Sequence, residues 1–265
     1  MPHLVWGGLS ETWLLRELGH RHWMLIAEAA GLDTPAFVDA AGRTVYAAFC
    51  GLSVRDAAFH TLGEHDDLFV CSELARVSRT QFASRHCLSK AGCPVGVVDL
   101  TSVFVTRKAP GENRTITRSA VEGLPPMPIQ PDFAPITATA LAIRNSAWTR
   151  HFGFEAGDST PLGRHVIQPC PSQDFNGAGL LYCSSYQGFL DRAEWALLGA
   201  EIGPATTLAR DIVFLGNADV GQDVVIELRG MRRRGREVAH RCRIATMSGQ
   251  PLAEAFTRRR ACSAS

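Results

Sequence analysis

Apolar residues in the stretch from 9 to 30 fall at steps of three and four. Trp13, Leu14, Leu18, Leu25, Ile26 and Ala29 thereby predict a helix that buries one face. Ser10 stands where an N-cap belongs and Gly31 where such a helix stops. Gly19 interrupts the pattern at a cost of about 1 kcal/mol, so two shorter helices are the alternative. The pattern then turns extended. Residues 44–54, 67–78, 80–89 and 96–108 combine β-branched and aromatic residues with partial alternation. Successive strands without intervening helices predict an antiparallel sheet.

From about 110 to 172 the pattern breaks into PGENR and the proline-dense LPPMPIQPDFAP, which favours an extended connector. ITATALAIRNSAW reads as a short helix and GRHVIQP as an edge strand. The first pattern then returns. QDFNGAGLLYCSSYQGFLDRAEW leads into a second amphipathic run of Leu181, Tyr182, Tyr186, Phe189, Ala193 and Leu197. Extended segments at 208–216, 223–234, 236–248 and 251–260 follow it, with Gly221 and Gly249 as turns. Gly8 precedes Trp23 by fifteen residues and Gly179 precedes Trp195 by sixteen. The order and spacing predict a tandem of two α+β units, each a helix wrapped by a curved antiparallel sheet. Edge-to-edge pairing of the units would cover exposed strands and leave clefts at the helix starts. The boundaries expected are 1–125 for the first unit, 126–172 for the proline-rich connector and the start of the second unit, and 173–265 for the second unit proper. A single irregular antiparallel fold is the competing reading.

Composition narrows the function classes. The 265 residues are 46% hydrophobic and 20% charged, as in an ordinary folded protein. A formal net charge of +1 gives no reason to expect a nucleic-acid ligand, and the basic clusters Arg232–Arg234 with Arg236, and Arg258–Arg260, are local. The eight cysteines include no CxxC pair, which argues for reduced thiols and against a zinc site. The first residues lack a basic segment followed by an apolar run, and no segment approaches 18 uncharged apolar residues. The expectation is a cytoplasmic protein without membrane contact.

Two stretches carry a resemblance to a known family. QDFNGAGLLYCSSYQGF resembles the approach to the central helix of hot-dog thioesterases, where an Asp two residues before an Asn precedes a turn and a helical Tyr. Together with GGLSETWLLRELGHRHW, DFNGAGLLYCSSYQGFLDRAEW is more closely similar to the double-hot-dog bifunctional acyltransferase/decarboxylases of polyketide biosynthesis, the leinamycin type. The resemblance implies an α+β double hot-dog fold. It implies an enzyme that takes methylmalonyl (or malonyl) from its coenzyme A thioester and delivers propionyl (or acetyl) to the phosphopantetheine thiol of an acyl carrier protein. Acyl-CoA is then a substrate, no cofactor is tightly bound, and a homodimer is allowed. The tyrosine implicated in that chemistry matches Tyr46, in VYAAF.

Each candidate residue has a plainer role beside the chemical one. Tyr46 reads as a core tyrosine or as a hydrogen-bond donor to the substrate. Covalent acyl transfer through it must overcome a phenol pKa of about 10. Asp174 and Asn176 read as helix caps, or as groups acting on the thioester, with Asp174 as nucleophile, as base, or as a charge opposing the substrate carboxylate. Gly177 and Gly179 permit close approach of a ligand to backbone N–H groups that stabilise an enolate oxygen, or form a bare turn. Ser184, Ser185 and Gln187 lie on the more polar face of the second helix, toward substrate or toward solvent. His20 and His22 flank Arg21 but point different ways on a helix. The arginine run Arg232–Arg236 reads as a solvated loop, or as an attractor for coenzyme A phosphates or an acidic carrier. A hot-dog thioesterase or dehydratase is the alternative enzyme, although QDFNGAGLLY lacks a dehydratase histidine. A non-catalytic, acyl-carrier-binding subunit is the third reading.

Overall fold

The structure is a computed structural model that describes residues 3–109, 112–121, 123–157 and 160–262. A short hairpin, β1 (Leu4–Val5) and β2 (Gly8–Leu9), leads into helix α1 (Glu11–Ala29). Strands β3 (Tyr46–Arg55), β4 (Phe69–Arg76), β5 (Gln81–Lys90) and β6 (Cys93–Arg107) follow, then the short β7 (Ile116–Arg118). The middle of the chain holds α2 (Ile136–Arg144), the hairpin of β8 (Arg150–His151) and β9 (Phe154–Glu155), and β10 (Gly163–Ile167). After the single turn α3 (Pro171–Asp174) come α4 (Cys183–Ile202) and strands β11 (Ala205–Phe214), β12 (Val224–Arg234), β13 (Glu237–Thr246) and β14 (Pro251–Ala261).

The long strands form one antiparallel sheet in the order β10-β12-β13-β14-β11-β3-β6-β5-β4, with β7 added to β6. Each half repeats the same local order around its helix, and β3 joins β11 at the seam through Gly51↔Val213 to Val54↔Arg210. Two long helices, each packed against a curved antiparallel sheet, make a double hot-dog α+β fold. The sheet is buried on both faces near the seam. Ile212 and Ala255 point to the core shared with α1 and α4, while their neighbours Val213 and Phe256 point to a second core under α2 and Phe154. This two-sided burial explains why the seam strands alternate only partially.

Helix α1 is continuous through Gly19. Ser10 Oγ accepts from Trp13 N at 3.2 Å as its N-cap, and Gly31 follows its end with φ +69°. Gly19 sits where the helices meet, so that a Cβ would touch Phe49 and the Cys183 thiol at ordinary contact distance. Thr12 reaches Gln187 at 2.7 Å while Gly19 lies beside Cys183, so α1 and α4 run in opposite directions. The second helix starts at Cys183, and Leu181 and Tyr182 therefore precede it. Leu181 bridges to Phe175, and Tyr182 is the N-cap without a side-chain bond.

At the seam, Gly51 is required by close approach: a Cβ there would stand 2.8 Å from Thr101 Oγ1 and 3.1 Å from Ile136 Cγ1 of α2. Arg144, at the end of α2, donates to Cys50 O (2.8 Å) and Phe214 O (2.6 Å), satisfying carbonyls on both strands. The basic run lies on the β12–β13 hairpin. Arg232 stacks over Phe154, Arg233 bonds the carbonyl of Glu201, and Arg236 bonds that of Ala261. All eight cysteines are free thiols, and no described helix is long and apolar enough to cross a membrane.

Candidate active site

The β3–β11 seam is open at one end and closed at the other. Beyond Gly51, β3 bulges at Cys50 and stays with β6, while β11 stays with β14, so the strands part. At the opposite end Ala57 N donates to Leu208 O at 3.0 Å, and the 3-10 turn Phe59–Thr61 packs over the approach to α1. Gly8 lies against that turn so tightly that a Cβ would sit 2.2 Å from Phe59 O, on a backbone with φ +124°. The first helix start is thereby sealed.

The open end holds an inner cavity of about 70 Å³, with Trp23, Phe49, Tyr186 and Phe214 among its walls. An outer cavity of about 360 Å³ adjoins it, and the two share Ala48, Phe49, Leu180, Phe214, Gly216 and Asn217. A third cavity of about 270 Å³ lies between α1 and the first turn of α4, sharing Trp23, Phe49, Tyr182 and Cys183 with the inner one. The parted strands thus leave a connected set of spaces through the sheet, with the start of α4 at its centre.

Residues 174–182 form a tight hairpin at this centre. Asn176 N bonds Leu180 O and Gly179 N bonds Asn176 O, both at 2.8 Å; Tyr182 N bonds Asp174 O at 2.9 Å. Asn176 Oδ1 accepts from Ala178 N and Leu180 N at 3.0 Å, so it caps this turn and not α4. Gly179 supplies the φ of +69° that the turn needs. Arg107 donates to Ala178 O (2.7 Å), Asn113 to Gly179 O (3.0 Å), and Leu181 N donates to Asn217 Oδ1 (3.0 Å). Both units therefore grip the hairpin.

The structure brings some of the expected residues together and separates others. Asn176 lines the inner cavity, and Ser184 the interhelical one. Ser184 is fully buried with its hydroxyl unpartnered, as is the Trp23 indole N–H on the same cavity. Ser185 and Gln187 are also buried, which leaves out the solvent-facing one of the two settings expected for them. Ser185 donates to Asp174 O, and Gln187 bridges Thr12 and Asp191. Asp174 is buried behind the hairpin, where its Oδ2 accepts from Cys170 N at 2.8 Å, and it lines none of these three cavities. Gly177 is exposed with nothing near its Cβ position. Tyr46 opens β3, half-buried and paired with Val105. It shares a strand face with Ala48, a wall of both cavities, without lining either itself. His20 lines the interhelical cavity, whereas His22 is buried between Ser84 and Ser102.

Electrostatics set the protonation of the groups at the centre. At the start of α4 the Ser185 N–H already donates to the Tyr182 carbonyl at 3.0 Å, while the N–H groups of Cys183 and Ser184 lie against the Cys183 thiol. Burial pushes that thiol up to about 12, so it is neutral and a poor nucleophile. Burial, and then the neighbouring Cys183, raise the Tyr186 phenol, which donates to Gly216 O at 2.9 Å. Among the described residues lining the inner and outer cavities there is no carboxylate and no imidazole. Asn217, absent from the sequence-based candidates, borders both. No motif surrounds it in FLGNADVGQ, and only the fold delivers it to the hairpin.

The two helices and the sheet that joins them define an architectural class, the double hot-dog α+β fold. No family model matches the chain, and no curated protein matches it. Solved structures do. An acyl-ACP thioesterase from Bacteroides thetaiotaomicron superposes with a TM-score of 0.61 at 10% identity, over 97% of this chain and 93% of its own. The 12:0-ACP thioesterase from Umbellularia californica superposes with a TM-score of 0.62 at 11% identity, over 96% and 88%. At these identities the likeness is one of fold, and it extends over both halves of the chain.

Proposed function

We propose that this protein is an acyl-thioester enzyme that cleaves the acyl–sulfur bond of a coenzyme A- or carrier-bound acyl group, with water as the leading acceptor. The observation that carries the reading is the cavity at the open end of the seam, where the start of α4 and the Asn176 hairpin meet an apolar pocket. The thioesterases of like fold support hydrolysis. Water adds to the carbonyl carbon, the oxygen becomes an oxyanion, and the intermediate collapses to acid and thiol as the leaving thiolate takes up a proton. Amide donors in a dry pocket stabilise that oxyanion.

A second reading, decarboxylating acyl transfer from a malonyl- or methylmalonyl-type thioester to a carrier thiol, is favoured by a different observation. The inner and outer cavity walls offer no acid or imidazole to activate water, and the imidazole of His20 lies on the interhelical cavity, to which Ser184, Trp23 and Arg16 present donors. Loss of CO2 needs no base: the bond to the carboxylate breaks, its electrons enter the enolate, and a proton returns to carbon. The acyl group then exchanges one thiol for another. In this reading Tyr46 is a hydrogen-bond donor at the cavity edge and Asp174 fixes the hairpin.

Incubation with a panel of acyl-CoA thioesters, with and without a phosphopantetheinylated carrier, separates these outcomes. Free acid and thiol are expected for hydrolysis, and a propionyl mass increment on the carrier for transfer from methylmalonyl-CoA. Binding without turnover across the panel would instead identify an acyl-carrier-binding subunit. Tyr46→Phe is expected to slow turnover about 100-fold if the phenol donates to the reacting group; unchanged turnover removes it from the mechanism.

A further inference from the structure

Asn217 has a side-chain amide whose orientation is fixed by its partners. Its Oδ1 accepts from Leu181 N at 3.0 Å and faces Asn113 Nδ2 at 3.4 Å. A backbone N–H only donates, so the atom that meets it is the oxygen. Asn113 is fixed in turn. Its Nδ2 donates to Gly179 O at 3.0 Å and Ala218 O at 2.8 Å, and its Oδ1 accepts from Arg107 at 2.6 Å. Turning either amide over would oppose donor to donor and acceptor to acceptor, leaving buried groups unpaired at about 1–3 kcal/mol each.

The Asn217 Nδ2 therefore points away from the hairpin. It meets no acceptor among the described residues, and Asn217 borders both the inner and the outer cavity. The remaining polar groups of the inner cavity leave this donor a distinct place. Tyr186 spends its proton on Gly216 O, and Asn176 has its own Oδ1 held by two backbone N–H groups, so its Nδ2 is likewise turned outward from the turn. Phe49, Leu180 and Phe214 surround the position where the cavities join, and in such a setting a fixed dipole acts more strongly than in water.

We propose that Asn217 is a catalytic residue: its Nδ2 donates to the thioester carbonyl oxygen and to the negative charge that forms there, opposite Asn176. The assignment rests on the thioester reading of this cavity and holds for either acceptor, since an oxyanion and an enolate place charge on the same atom. One consequence is structural economy. The same amide that holds the hairpin through its oxygen serves the substrate through its nitrogen.

Asn217→Asp tests this, because a carboxylate still accepts from Leu181 N and Asn113 but cannot donate. With the thioester that the wild type turns over, kcat is expected to fall about 100- to 1000-fold with KM little changed. A second measurement uses a ketone analogue of the acyl-CoA, carrying ¹³C at the carbonyl. Its resonance is expected to move downfield on binding to the wild type and to lose most of that displacement in N217D. Turnover by N217D within about twofold of a working wild type overturns the Asn217 assignment alone. A wild type inert towards every thioester overturns the thioester reading and this assignment with it. Should N217D fail to fold, an undisplaced carbonyl resonance in the analogue-bound wild type still overturns the proposal.

Discussion

The two central helices occupy equivalent places in the two units but bury different chemistry. Counted from the first helical residues Glu11 and Cys183, His22 and Glu194 hold the same position, and Trp23 and Trp195 the next. Beneath α1 lies a neutral chain in which His22 joins Ser102 and Ser84, and Ser84 passes through His86 to Ser72. Beneath α4 lies an ionic network. Fully buried Arg210 meets Glu11 at 2.8 Å and Asp191 at 2.7 Å; Glu194 meets Arg259 and His240, each at 2.5 Å. Trp23 helps to line the cavities, whereas Trp195 is 63% exposed. A repeated scaffold fixes where a buried polar group falls, and the facing strand decides whether it is neutral or charged.

The largest test of that contrast is Arg210→Ala. Removing the cation leaves buried Glu11 without its ion-pair partner, while Arg259 still holds Asp191 and Glu194, and a loss of about 3–5 kcal/mol in denaturant unfolding is expected. A loss under about 1 kcal/mol would mean that water or a protonated Glu11 replaces the guanidinium. Burial already raises the Glu11 carboxyl, against the lowering by Arg210, so the direction of this compensation is set.

Acid should separate the two helices next. Burial, and then His86, depress His22 to about 3, and burial with Arg21 depresses His86 to about 4, both from 6.5. The unfolded chain then binds more protons below about 6.5, so stability is full above that pH and falls as the pH drops toward the folded values. From pH 7 to pH 5 the loss is about 2 kcal/mol for one such histidine. Burial raises Glu194, but Arg259 and then His240 overcome it and hold the carboxylate down at about 2. Its contribution persists above 4.5 and is lost only as the pH falls from there toward 2. Stability between pH 7 and 5 should therefore lose about half of its slope in His22→Gln, His86 supplying the rest, and keep its slope in Glu194→Gln, as measured by urea unfolding. Equal slopes in both variants would break the comparison.

The smallest effects concern the two helix approaches. Gly8→Ala meets Phe59 O and an unfavourable φ, and should cost about 1–3 kcal/mol. Gly177→Ala has open space and should stay within about 0.5 kcal/mol. Thermal unfolding of both variants checks this. A loss of turnover in the stable Gly177→Ala protein would place a ligand against that backbone.

Much of the architecture was legible in the chain. The eight long strands, both long helices, the Ser10 cap, the short helix within ITATALAIRNSAW and the edge strand in GRHVIQP coincide with observed elements. Fewer of the site residues were. Asn176 stands at the cavity, but Asp174 turns to Cys170 and Ser185 to the hairpin, because local backbone partners, an N–H for Asp174 and a carbonyl for Ser185, reach them first. Ser184 and Gln187 look like a solvated face in one helix and become buried only because a second helix crosses there. Asn217 gave no signal at all.

The sequence by itself determined the elements and their repetition, because hydrophobic period and turn residues act through local backbone geometry. The tertiary structure alone decided which helix start is open. That choice depends on Ala57 meeting Leu208 at one end of the seam, and on Cys50 and Phe214 parting under Arg144 at the other. It also decided that Asn217, Asn113 and Arg107 converge on one hairpin. Such contacts join residues far apart in the chain, and no periodicity encodes them. They arise when two sheets settle into one register and the leftover donors and acceptors find one another.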